Sequence, residues 1–162
     1  MPNIVQRHQI ASYLGEKAAG AENQTYNLMG TGFTDLNESP NSETKEKQYI
    51  NDKAKTTTIS KYGASWEFTS DMIVTEKPVE QLYLVGRNQL TGSDAEFDYI
   101  QVDLFREATS GAYPARKFKV SAEISDFSPD DTDMQVNGTL HQVGDFTEGT
   151  FNPTTKEFTA SP

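Results

Sequence analysis

Apolar and polar residues alternate with a period of two along most of this chain, the pattern of strands that bury one face. In "YGASWEFTSDM", Tyr62 to Met72, the even positions Tyr62, Ala64, Trp66 and Phe68 are apolar or small, while Ser65, Glu67, Thr69 and Asp71 are polar. "FDYIQVDLF" sets Ile100, Val102 and Leu104 on one face and Phe97, Tyr99, Gln101, Asp103 and Phe105 on the other. "RKFKVSAEISDF" aligns Phe118, Val120, Ala122 and Ile124 against Lys117, Lys119, Ser121 and Glu123. "MQVNGTLHQV" aligns Met134, Val136 and Leu140, with Gly138 expected to mark a bulge. "GTFNPTTKEFTA" predicts a hairpin that turns at Asn152-Pro153.

One segment breaks this period. "TEKPVEQLYLVGRNQLTG" carries Val79, Leu82, Tyr83, Gly86 and Leu90 at helical spacing, with Thr75 as a cap, Pro78 in the first turn and Gly92 as the stop. A weaker helical spacing joins Ile10, Tyr13 and Leu14. Between them lies "LMGTGFTDLNESPNSETKEKQYIND", Leu28 to Asp52, whose polar run has almost nothing to bury. Loops this long are uncommon in compact domains and usually have a task. The expected fold is mainly β: two packed antiparallel sheets, as a sandwich or half-barrel, with one flanking α-helix and a long early loop. The chain is expected to form a single domain over residues 1–162, with a mobile N-terminal segment of about 1–24 and an extended loop of about 37–56.

Composition narrows the chemistry. There is no cysteine, which excludes disulfides, thiolate metal sites and cysteine nucleophiles. No apolar run reaches the ~18 residues of a membrane-spanning helix, and no membrane partner is expected. The net charge is −10. Residues 1–56 hold 6 Lys/Arg and 7 Asp/Glu, and residues 57–162 hold 8 and 17, so the acidity lies in the second part. Such a chain does not grip nucleic acid, because phosphate binding needs clustered Lys and Arg. Solubility is the plainer use of the charge.

Candidate sites for small-molecule chemistry are thin. Gly30-Thr31-Gly32 is a fragment of a phosphate-binding loop, without a third glycine, a following helix pattern or a Walker lysine. "DFSPDDTD" holds Asp126, Asp130, Asp131 and Asp133, which suit calcium, but lacks the spacing of a known loop and reads first as a turn. His8 and His141 are the only histidines, so a catalytic triad would rest on one of them alone. No enzyme activity, cofactor or metal is expected.

The succession of segments resembles the major tail tube proteins of long-tailed, siphovirus-type bacteriophages. "LMGTGFTDLNESPN" with "YIND", then "TTTISKYGASWEFTSD", "PVEQLYLVGRNQLTGSDAEFDYIQVDLF" and "VNGTLHQVGDFTEGTFNPTTKEF" carry the resemblance over roughly residues 25–160. It implies a structural virion protein: two sheets packed at a steep angle, six copies in a ring, inner sheets joined into a barrel, and rings stacked into the channel for DNA ejection. Contractile-tail tubes and type VI secretion ring proteins are similar in fold. The implied partners are further copies of the chain, a tape measure protein and tail terminator and initiator proteins, with DNA passing unbound. The implied location is the virion tail, after the host cytoplasm. Glu43, Lys45, Glu46, Lys47, Tyr49 and Ile50 are the candidate contact between stacked rings, and Glu67, Asp71, Asp103 and Glu123 the candidate lumen lining. The alternatives are the inner tube of a contractile tail or injection device, and a stand-alone β-sandwich binding module with Trp66, Tyr62 and Tyr99 as an exposed platform.

Overall fold

The structure is a computed structural model, and it describes residues 4–161. The chain runs through β1 (Ile10–Ala18), β2 (Tyr26–Leu28), β3 (Phe33–Ser39), β4 (Ser42–Lys47), β5 (Thr56–Tyr62) and β6 (Ser65–Asp71). Helix α1 (Lys77–Arg87) precedes β7 (Glu96–Asp103), β8 (Tyr113–Asp130), β9 (Asp133–Gln142), β10 (Thr147–Asn152) and β11 (Glu157–Ala160). Among the described residues nine strands share one antiparallel sheet in the order β2-β1-β7-β8-β9-β6-β3, with β10 paired to β8 and β11 to β10. β4 and β5 form a separate two-stranded ribbon.

The sheet becomes two layers because β8 divides its partners. Its first residues pair with β10, Tyr113 opposite Phe151 to Lys117 opposite Thr147, and from Val120 onward it pairs with β9. The two wings then curl over opposite faces of the β7–β8 pair. Tyr13 on β1 and Phe151 on β10 have ring centroids 4.5 Å apart. Two strands stand between them in the sheet, so a flat sheet would separate them by roughly 14 Å, three spacings of ~4.8 Å. On the other face Trp66 of β6 reaches Tyr99 of β7 at 4.9 Å, again with two strands between.

Strand β7 is therefore a wall with a core on each side. Phe97 and Tyr99 join Trp66, Phe68, Phe118, Val120 and Leu140 under α1, and Ile100 and Val102 join Tyr13, Tyr26, Ala115 and Phe151. Phe97 and Tyr99 on one face and Ile100 and Val102 on the other are all apolar for this reason. Burying an aliphatic or aromatic side chain contributes about 1.5–3 kcal/mol, so a strand buried on both faces contributes nearly twice per residue. Helix α1 seals the first core with Pro78, Val79, Leu82 and Val85. Gly86 lets it come close, since a Cβ there would stand 2.7 Å from Phe127.

Several expectations change in register. Gly138 is not the bulge. It sits in the β9 ladder opposite Phe68 and Ile124, and the irregularity lies across from it on β8, between Ile124 and Asp126. The extra residue lets Ile124 and Phe127 both lie on the side of α1, where a Cβ on Gly86 would meet either one. The helix begins after Glu76 rather than Thr75 and ends at Arg87, short of Gly92, where Gln89 takes the left-handed turn (φ 53°). Ile10, Tyr13 and Leu14 lie on strand β1, not on a helix, with Ala11 to Gly15 buried. Of the segment 1–24, expected to be mobile, residues 1–3 lie outside the described residues, and the remainder contains this core strand. Its connection to β2 is tied to the wall: the buried carboxylate of Asp98 accepts the N–H of Gly20 at 3.2 Å and Gln24 Nε2 at 3.2 Å. Half of the loop of about 37–56 is strand, in the end of β3, β4 and the first residue of β5. No helix among the described residues is long and apolar enough to cross a membrane.

Two outcomes follow from this packing. A Cβ on Gly138 would lie 2.2 Å from the Glu123 carbonyl oxygen. Gly138→Ala should cost about 1–3 kcal/mol or more, a Tm loss of roughly 2–4 °C per kcal/mol. Gly63→Ala, where nothing lies within 4 Å, should leave Tm unchanged, and equal melting of the two variants would contradict this register. Burial raises the phenol pKa of Tyr99, and burial with the nearby Asp98 charge pushes Tyr26 up to about 12. Unfolded tyrosines ionise near ~10, so the stability they hold is intact below that pH and lost above it. The denaturant midpoint should fall between pH 8 and pH 11, and fall less in Tyr99→Phe; a midpoint indifferent to that substitution would contradict it.

Candidate assembly surfaces

The most conspicuous surface is the ribbon of β4 and β5. Its strands form because Thr56, Thr57, Thr58 and Ile59 favour extended backbone and face a Glu/Lys alternation. Glu43 pairs with Lys61 at 3.3 Å and Glu46 with Lys55 at 3.2 Å. Such exposed pairs contribute 0–1 kcal/mol each. No residue of either strand is buried. The ribbon continues the β3–β6 pair past a kink, where Asn41 (φ 52°) donates Nδ2 to Gly63 O at 3.0 Å and to Ser65 Oγ at 2.9 Å. It is an arm rather than a loop.

The arm has two faces and a tip. Ser42, Thr44, Glu46, Thr57, Ile59 and Tyr62 share one face by register; Glu43, Lys45, Lys47, Thr56, Thr58 and Lys61 share the other. The tip turns at Tyr49 to Asp52, closed by Asp52 N–H on Tyr49 O at 3.0 Å and Tyr49 N–H on Asp52 Oδ2 at 3.1 Å. Tyr49 is 64% exposed and Ile50 fully so, with Ile59 and Tyr62 also exposed. Residues 42–62 hold five lysines against Glu43, Glu46 and Asp52, so this arm is net positive on a chain of −10. All six candidate contact residues sit here, Glu43 to Lys47 along β4 and Tyr49 and Ile50 at the tip. The cue for the ribbon was the Thr56–Ile59 run.

The second surface is the solvent face of β3, β6, β9 and β8. Cross-strand pairs put Asn37, Glu67, Thr139 and Glu123 in one row and Asp71, Gln135 and Ser128 in another. Glu67, Asp71 and Glu123 are thus gathered on one sheet face. Asp103 is not. It shares the parity of Phe97 and Tyr99 at the far end of β7, opposite Ile10, and pairs with Arg106 at 3.6 Å. Two aromatic neighbours on its own face were the sign that this face is core. Lys117 and Lys119 do lie on the acidic side, but Lys119 is held by Glu96 at 3.0 Å and Lys117 stands 4.0 Å from Asp98. His141 reaches Glu123 at 3.3 Å.

The third is a cleft of about 820 Å³ between β1 and the outer edge of β3, lined by Ile10, Leu28, Met29, Phe33, Leu36 and Leu104 among others. Its floor holds the pair Tyr99 O–H to Ser12 Oγ at 2.8 Å. Arg116 of β8 crosses to β3 beside it, donating to Glu38 at 3.0 Å and to Gln101 at 2.7 Å.

The remaining candidates resolve as structure. Gly30-Thr31-Gly32 is a turn closed by Phe33 N–H on Gly30 O at 3.0 Å, and a strand, not a helix, follows. Asp126 to Asp133 is the β8–β9 hairpin; Asp126 accepts Asn137 Nδ2 at 2.7 Å, and Asp131 takes the left-handed position. Among the described residues no group of three or more acidic or histidine side chains could hold a metal ion. The aromatic platform does not form: Trp66 and Tyr99 are 1% and 0% exposed, and Tyr62 is on the arm.

No family model and no curated protein matches the chain in sequence. In structure it is similar to a chain of "Cryo-EM structure of the anti-feeding prophage (AFP) baseplate, 6-fold symmetrised", with a TM-score of 0.51 and 8% identity, over 91% of this chain and 97% of that one. At that identity the likeness is one of fold, and it takes in nearly the whole of both chains.

The arm's independence from the core is testable. Deleting Ser42–Tyr62 would join Pro40-Asn41 to Gly63-Ala64, an Asn-Gly turn suited to a two-residue hairpin. That variant should fold with a Tm close to the parent and remain monomeric at concentrations where the parent associates. Unfolding of the variant would show that the arm carries stability, and unchanged association would remove it from assembly.

Proposed function

We propose that this chain is a structural subunit of a phage-type tail or injection device, and specifically a tube subunit that forms six-membered rings stacked into a conduit for DNA. The observation that carries this is the fold match to a chain of a six-fold symmetrised prophage baseplate, over 91% of this chain and 97% of that one. The exposed arm supports it, since an isolated two-stranded ribbon is at best marginally stable in water and gains order on meeting a partner. The tail tube of a siphovirus-type phage is the form the sequence resemblance favours. A tube or tube-end component of a contractile or prophage-derived injection device is the second reading, favoured by the baseplate neighbour.

In this reading the acidic sheet face, with Glu67, Asp71 and Glu123, lines the channel, and Asp103 does not. Duplex DNA carries one negative charge per ~1.7 Å, and each lysine or arginine that neutralises a phosphate adds a salt-sensitive contact. A wall of like charge leaves the phosphates hydrated and free to slide. The paired Lys117 and Lys119 keep this wall from offering open cations. Six copies at −10 repel one another, but salt screens charges beyond ~8 Å, and the net-positive arm lowers the repulsion where rings meet. No catalytic step is required of the subunit.

Assembled protein carrying Glu67→Lys and Glu123→Lys should retain duplex DNA on sedimentation and release it as salt is raised, while wild-type assemblies retain none. Equal retention by both would contradict a channel lined by these side chains.

A further inference from the structure

We propose that the cleft between β1 and β3 receives the arm tip, Tyr49 and Ile50, of a second copy of the chain. The proposal rests on the stacked-subunit reading and names the surface that the arm meets. Three observations converge on it. The tip presents two large apolar side chains with nothing to cover them, Ile50 fully exposed and Tyr49 nearly two-thirds exposed. The cleft is the complementary feature, an open hollow of about 820 Å³ walled by Ile10, Leu28, Met29, Phe33 and Leu36. That volume lies within the ~300–1,000 Å³ of sites that enclose a ligand.

The occupant has to come from another copy. β3 forms one wall of the cleft, and β4 leaves the end of β3 through the Pro40-Asn41 kink. Six residues of strand, Ser42 to Lys47, then carry the tip roughly 20 Å onward at ~3.3 Å per residue. A chain's own tip is thus led away from its own cleft. Charge over the whole body favours the same exchange: the arm is net positive, with five lysines against three acids, and the body carries the chain's negative excess, while the charged residues lining the cleft itself, Arg7 and Glu38, offset each other. The free edge of β3 offers unpaired backbone groups along the cleft, since among the described residues β3 pairs with β6 alone, and an extended segment can add to such an edge. Apolar anchors at the tip and backbone pairing along the edge would together fix the register between copies.

The absence of cysteine makes thiol trapping clean. One full-length chain carries Asn51→Cys, which leaves the Tyr49 and Ile50 anchors in place, and a second, differently tagged, carries His8→Cys at the cleft rim or Thr139→Cys on the acidic sheet face. Asn51 and His8 are both exposed, so neither change threatens folding. After mixing under assembly conditions and mild oxidation, the Asn51–His8 heterodimer should exceed the Asn51–Thr139 heterodimer on the order of tenfold or more, because docking raises the local thiol concentration. Six-membered assemblies with His8 cross-linking no better than Thr139 would overturn the cleft as the receiver while leaving ring formation intact. Chains that neither assemble nor cross-link would overturn both. Control-level cross-linking together with retardation of duplex DNA by the parent, lost in Lys45→Glu with Lys47→Glu, would assign the arm to nucleic acid instead.

Discussion

Strand β7, buried on both sides, is the constraint from which the rest of the molecule follows. A sheet strand ordinarily offers one face to a core and one to water. Here Phe97 and Tyr99 face Trp66 and Phe118, while Ile100 and Val102 face Tyr13, Tyr26 and Phe151. Both faces can be covered only if the flanking strands curl in opposite senses, and β8 makes that possible by changing partner from β10 to β9 along its length. The acidic face of the β9-β6-β3 wing, the cleft and the position of the arm are consequences of that division.

The same division separates what the chain satisfies internally from what it leaves open. Within the body, the backbone of β1, β7, β8, β9 and β6 is paired on both edges, and apolar side chains meet one another. The arm has neither advantage. Its ion pairs are solvent-exposed, its apolar residues cover nothing, and its positive charge has its counterpart on the body of the chain. Such an element suits the proposed role, in which the surroundings of each copy are other copies.

Much of this was legible in the residues, and the failures have physical causes. The period of two through Trp66 and Phe68, and through Phe118, Val120 and Ala122, located two core strands because each has one wet face. It misled where both faces are dry. Ile10, Tyr13 and Leu14 matched a helical spacing because β1 is buried from Ala11 to Gly15 and so has no alternation to show. Asp103 was grouped with Glu67 by charge, although its face-mates Phe97 and Tyr99 marked it as lying on a core side. The β8 bulge was written in the spacing of Ile124 and Phe127, three apart yet both against α1. The arm escaped because strand pairing without burial leaves no apolar period; only the β-branched run from Thr56 to Ile59 announced it. Of the proposed channel lining, Glu67, Asp71 and Glu123 share one surface because three neighbouring strands align them, an adjacency no single strand reveals.

In the proposed function identical bodies of this shape close into rings, with the acidic wing inward and the arms reaching between layers. Electron microscopy of the concentrated full-length protein, with image averaging of end-on views, tests this most directly. The account predicts six-fold annuli with an open bore that stack along their axis. Particles that stayed monomeric at every concentration, or closed with another symmetry, would contradict it.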